Sequence, residues 1–169
     1  MAISPKSEDY QKFDYSLLLN GLKDGVKDLS PAYFAMVMAT GIISIAAHLL
    51  GMPLVSITLF WLNIVTYLVL WFLNVLRVIW FTSQFFCDMV DHKRGPGFFT
   101  SIAGSCVLGS QFVLISGNFL AATFLWILGI ILWIGLTYTI FTAFTIKENK
   151  PTLDEGITGA WLLAVVSTQ

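Results

Sequence analysis

Few residues in this 169-residue chain can do chemistry, and most of those are mild. Met36, Thr40, Ser44 and His48 recur every fourth residue, which sets them in a row along one side of a helix. A second row, Ser101, Ser105 and Gly109, has the same spacing, and Gln111 adds an amide in the same stretch. Hydroxyls and an amide without fixed charge suit weak hydrogen bonding to a passing solute, or close contact with a neighbouring helix. Thr40, Ser44, Ser101, Ser105, Gly109 and Gln111 are therefore the candidate residues for lining a path, with ordinary helix packing as the competing account.

The remaining reactive types form no site. Asp88, Asp91 and His92 suggest metal ligands, but only Asp88 and His92 share a helical face, and no second His or Cys is suitably spaced. Gly95-Pro96-Gly97 is a chain reversal; a phosphate loop needs G-x-G-x-x-G after a strand. Cys87 and Cys106 read as small apolar fillers. No cofactor and no metal are called for. Nor is an enzyme, because no apolar stretch pairs a nucleophile with a base, and His48 is the only imidazole in any of them. That histidine falls near a helix end, where an interfacial position is favoured over contact with substrate.

These candidates must be held by elements of a particular kind. Apolar residues make up 57% of the chain and charged ones 11%, and the mean hydropathy is +0.80. Soluble domains carry roughly 25% charge, so the chain is an all-α integral membrane protein. A net charge of −1 without a basic stripe argues against nucleic acid as a partner. The first 30 residues hold five acids among four lysines, which is no cleavable signal.

The Ser30–Gly51 stretch carries no charge, and Pro31 stands where a first helical turn tolerates proline. Residues 31–50 are about the ~20 that an apolar helix needs to cross ~30 Å of hydrocarbon. Further spans are expected at 53–76, 96–116 and 119–146, with an incomplete fifth at 156–169. A shift of 65 residues lays Pro31-Ala32-Tyr33-Phe34 onto Pro96-Gly97-Phe98-Phe99, Thr40 onto Ser105 and Ser44 onto Gly109. The chain therefore reads as repeated helical hairpins. Odd spans are thin, the fifth carrying Gly156, Ala160, Ala164 and Thr168. Even spans are bulky: Phe60, Trp61, Tyr67, Trp71 and Phe72 suit a lipid-facing surface, and the fourth span carries Phe124, Trp126, Trp133, Tyr138 and Phe141. An inner layer of odd helices inside an outer layer of even ones is expected, with parallel repeats.

The ends and loops complete this picture. Residues 1–29 form a cytoplasmic or interfacial segment, with Tyr15, Leu18, Leu22, Val26 and Leu29 on one helical face. Arg77 near a helix end is expected to snorkel, beside an interface belt of Trp80 and Phe81. All nine Lys and Arg lie in the tail, around the 2–3 loop or in the 4–5 loop. That pattern places the N-terminus in the cytoplasm of a cell that carries this protein in its plasma or inner membrane. Fourteen residues of the fifth span make about 21 Å of helix, so the chain reads as the N-terminal part of a longer protein and is not expected to transport alone.

The stretch SPAYFAMVMATGIISIA, with DHKRGPGFFT, GSCVLGSQ and GITGAWLLAVVSTQ, resembles the tellurite-resistance/C4-dicarboxylate transporter family. That family includes yeast malate carriers, sulfite exporters and the slow anion channels of plant guard cells. Many relatives read M-G-T-G where this chain has Met38-Ala39-Thr40-Gly41. The resemblance spans residues 30–169 and implies ten helices in five hairpins around a central pore, often as trimers. It also implies passage of small anions such as malate, succinate, sulfite or chloride, with an aromatic gate beyond residue 169. A scaffold without transport activity is the alternative from a different class.

Overall fold

In the computed structural model, residues 21, 23, 25–91, 93–146 and 162 are described. They are helical throughout apart from turns, with no strand among them. Among the described residues, four stretches are long and apolar enough to cross a bilayer: Pro31–Leu49, Pro53–Trp80, Gly95–Ser116 and Phe119–Ile146. Their regular parts are α1 (Phe34–Leu49), α2 (Pro53–Trp80), α4 (Phe99–Gln111) and α5 (Phe119–Ile146). A short helix, α3 (Thr82–Val90), lies between the second and third. The interfacial helix expected before Leu29 lies mostly outside the described residues, although Val26 is buried. His92, the 4–5 loop and, apart from Leu162, the fifth span also lie outside them.

The two hairpins are copies of one another. α1 follows a 3-10 turn at Pro31–Tyr33, and α4 follows one at Gly95–Phe98 that carries Pro96. In the first turn the Ala32 N–H donates to Ser30 Oγ at 3.4 Å, capping a donor that the helix leaves unpaired. Phe34 and Phe99, the first residues of α1 and α4, are 65 apart. Each hairpin then reverses at a left-handed glycine, Gly51 at φ 74° and Gly117 at φ 66°, where a Cβ would be strained. Both outer helices start two residues later and run for 28 residues. In the second hairpin the opening turn has no side-chain cap, and α4 gives way to a π-helical turn, Phe112–Ser116, before its glycine.

Packing follows from where the small residues fall. α1 lies along both α2 and α4, and α5 lies along α4. α4 is the most enclosed span, because Gly104, Ser105 and Gly109 let three neighbours approach it. α1 and α4 start side by side. A Cβ on Gly97 would lie 3.2 Å from the Ala32 nitrogen, and Thr100 Oγ1 is 3.0 Å from the Pro31 carbonyl it donates to. Apolar burial then fills the gaps: Phe34 meets Tyr67 and Trp71 edge-on, and Phe60 meets Phe112 at 5.1 Å between centroids.

Three expectations change at the level of single residues. Phe60 and Tyr67 are buried, while Trp61 and Phe72 stay exposed as a lipid-facing surface requires. The cause is spacing: the buried α2 positions 56, 60, 63, 67 and 70 follow alternating steps of four and three, and 77 lies one heptad further on, the seam of a helix packed lengthwise on its neighbours. The segment after α2 is not simply a loop, since α3 forms there and buries Met89. Arg77 does not snorkel. It is fully buried, because Asp88 on α3 folds back to meet it.

A polar seam between the hairpins as the candidate functional site

Working from the hairpin tips towards the charged end, polar groups meet at four levels along the inner face of α2. At the first, Ser44 Oγ donates to the Ser56 carbonyl at 2.9 Å, joining α1 to α2. At the second, Asn63 Nδ2 donates to Gln111 Oε1 at 2.6 Å, joining α2 to α4. Both amides are fully buried, and Gly41 of α1 lies against them. A Cβ there would stand 3.0 Å from Asn63 Nδ2 and 3.2 Å from Gln111 Oε1. Glycine at this point is what lets three helices meet over one amide pair.

At the third level the Tyr67 hydroxyl and Ser105 Oγ are 2.7 Å apart, and Ser105 Oγ is also 2.7 Å from the Ser101 carbonyl. Ser101 Oγ donates in turn to the Phe98 carbonyl at 2.7 Å. These bonds leave few polar atoms of α4 for other use. The fourth level is ionic. Asp88 Oδ2 accepts from Arg77 Nη2, and from Arg94 Nη1 at 3.0 Å. Arg77 Nη2 is also 3.2 Å from the Lys27 carbonyl, which ties the segment before α1 to the same point. A buried arginine is tolerable only with such a partner.

The candidate residues are thus distributed as follows. Ser44, Ser101, Ser105, Gly109 and Gln111 are buried between helices, and Thr40 is half-buried on α1. Ser105 and Ser101 come together, and Gln111 joins Asn63. Gly109 faces α5, where an added Cβ would lie 3.7 Å from the Ala122 carbonyl and from Leu125 Cβ. Ser56, Asn63, Tyr67 and Arg77 were not among the candidates, and Asp88 was weighed only as a metal ligand. Their signal was present in the sequence: Ser56, Asn63, Leu70 and Arg77 recur every seventh residue in an otherwise apolar span. Polar residues at one heptad position within hydrocarbon mark a buried face.

Comparison with known proteins places this architecture. An uncharacterized transporter of Methanocaldococcus jannaschii is 33% identical over 114 residues, which are 64% of this chain and 33% of that protein. The chain therefore spans about a third of the length of that curated relative. No solved structure matches. Over residues 28–169 the sequence matches the family described as voltage-dependent anion channel, in line with the resemblance seen in its motifs. This multi-pass membrane chain belongs to the voltage-dependent anion channel family.

Proposed function

We propose that the chain supplies two hairpins of a pathway for small anions, with C4-dicarboxylates such as malate as the leading substrates. The observation that carries this reading is the common start of α1 and α4. Their N-terminal turns touch at Gly97 and Ala32, so two helix dipoles point their positive ends to one mouth. Each such end is worth only ~0.3–1 kcal/mol when exposed, enough together to gather a dianion without trapping it. The faces of α1 and α4 that the seam leaves free carry Ala39, Ile43, Cys106 and Ser110. They offer backbone, hydroxyl and thiol groups, a surface from which an anion leaves readily.

In this reading the seam residues Ser44, Ser101, Ser105, Gly109 and Gln111 set the spacing of the wall, and Thr40 at the seam's edge comes nearest to it. Assembly of the parent as a trimer, with further hairpins completing the path, belongs to the same proposal. The test is a chimera in which this chain replaces the matching third of the archaeal relative. Liposomes carrying it are loaded with labelled malate, succinate, sulfite or chloride. Saturable efflux of at least one anion, highest for the C4-dicarboxylates, is expected. A folded chimera that releases none of the four would leave the scaffold reading in its place.

Orientation is part of the proposal, with the basic end and the N-terminus in the cytoplasm. A cysteine introduced at Asn118 should then react with an impermeant thiol reagent added outside cells, and one at Lys93 should not. The reverse pattern would invert the topology.

A further inference from the structure

We infer that a groove between the two outer helices holds one acyl chain of an anionic phospholipid. The groove encloses about 360 Å³ and is floored by Phe34 of α1 and Ser101 of α4. Val75, Val78 and Ile79 form one wall, Leu132 and Leu136 the other, and Phe85 and Met89 of α3 close its end. Val75, Val78 and Ile79 are exposed, so the slot opens on the surface that faces hydrocarbon.

Its chemistry selects the occupant. Among the described residues, its polar lining side chains are Trp71, whose indole N–H is buried without a partner, and Asn74 and Ser101, which are turned to their own helices. Asn74 Nδ2 donates to the Leu70 carbonyl at 2.9 Å, and Ser101 Oγ to the Phe98 carbonyl at 2.7 Å. A polar solute entering the slot would lose its water and gain almost nothing in return. A hydrocarbon chain loses nothing, and it fills a void whose lining otherwise lacks contacts on one side.

The rim selects the headgroup. Val78 follows Arg77, and Met89 follows Asp88, so the closed end of the groove abuts the ionic cluster. There Arg77, Lys93 and Arg94 outnumber Asp88 and Asp91 by one positive charge among the described residues. Asp91 Oδ1 accepts from the Lys93 N–H at 3.1 Å, while the Arg94 side chain remains 43% exposed. A basic rim at the end of an apolar slot is complementary to a phosphate on an acyl chain. The site is separate from the anion path, since it opens between outer helices.

The test is native mass spectrometry of the 169-residue chain released from nanodiscs of mixed phosphatidylglycerol and phosphatidylcholine. The wild-type chain is expected to retain one phosphatidylglycerol. Val78→Trp and Leu132→Phe, which fill the slot from opposite walls, should each lower that occupancy roughly fivefold. Leu68→Trp, on the exposed face of α2 away from the slot, should not. Arg94→Gln should reduce the preference for phosphatidylglycerol by roughly fivefold while a lipid is still retained. Circular dichroism on each variant reports folding, and failure of one wall variant leaves the other to decide. Equal retention in both filled variants would overturn the inference. So would a chain dimer that excludes lipid, since the groove would then be a contact between two copies.

Discussion

Replacing Asp88 by alanine will cost the fold about 3–5 kcal/mol, the typical penalty for stranding a buried charge. Arg77 is the most deeply buried charge in the described part of the chain, and Asp88 Oδ2 is the acceptor it shares with Arg94. Arg77 Nε and Nη1 have no partner among the described residues, so once Asp88 is gone the guanidinium keeps only the Lys27 carbonyl, at 3.2 Å from Nη2. The counterpart variant distinguishes charge from shape. Arg77→Met with Asp88→Leu removes both charges and keeps most of the volume, and it should recover stability to within about 1 kcal/mol of wild type or better. Unfolding in detergent by added denaturing surfactant, followed by circular dichroism, measures both. A loss below 1 kcal/mol for Asp88→Ala would mean that α3 is held by Met89 and Phe85 alone. Failure of the double variant to recover would mean that the bond to the Lys27 carbonyl contributes more than the ion pair does.

That cluster also shows where the sequence stops being legible. The hairpins could be read because their determinants are local. A proline opens the first turn, a glycine permits the reversal, and an apolar run of fixed length spans the bilayer. The 65-residue repeat made the second hairpin readable from the first. Arg77 was not readable in the same way. Whether an arginine near a helix end reaches for water or turns inward depends on what folds back to meet it. Here that partner lies eleven residues further on, on a short helix that runs straight into a charged turn. Phe85 and Met89 of α3 are four apart and face inward, an amphipathic signal too short to stand against Asp88, Asp91, Lys93 and Arg94 nearby.

The polar rows were legible as rows but not as contacts. Four-residue spacing says that Ser101, Ser105 and Gly109 share a side of a helix; it cannot say what that side meets. The structure supplies Tyr67 for Ser105 and the backbone of α5 for Gly109. Bulky aromatics misled the reading of α2 in a complementary way. Phe60, Trp61, Tyr67 and Phe72 are of one type in composition, yet they divide between two faces by their position in the heptad. Reading the polar residues of that span first would have found the inner face, because hydrocarbon tolerates asparagine and arginine only where protein covers them.

The amide pair at the centre of the seam gives the second large effect, at Gly41. Its missing Cβ leaves room for Val107 Cγ1, and also for Asn63 and Gln111. Alanine there must displace a β-branched side chain or part the two amides. Overpacking of this kind typically costs ~1–3 kcal/mol, and valine should cost more than alanine. Parting the amides adds to the loss, because each would be left in an apolar interior without its partner. Gly109 provides the control. A Cβ there finds ordinary contact at 3.7 Å, so Gly109→Ala should be neutral or stabilise α4 by about 0.5–1 kcal/mol, the usual gain over glycine inside a helix. The two variants should be made in the flux-competent chimera and examined by thermal stability and anion efflux together. If the seam sets the spacing of the wall, Gly41→Ala lowers efflux in step with stability, and Gly109→Ala leaves both in place. Efflux that collapses in Gly109→Ala with the fold intact would put that row on the anion path itself, and the wall would have to be redrawn through the seam.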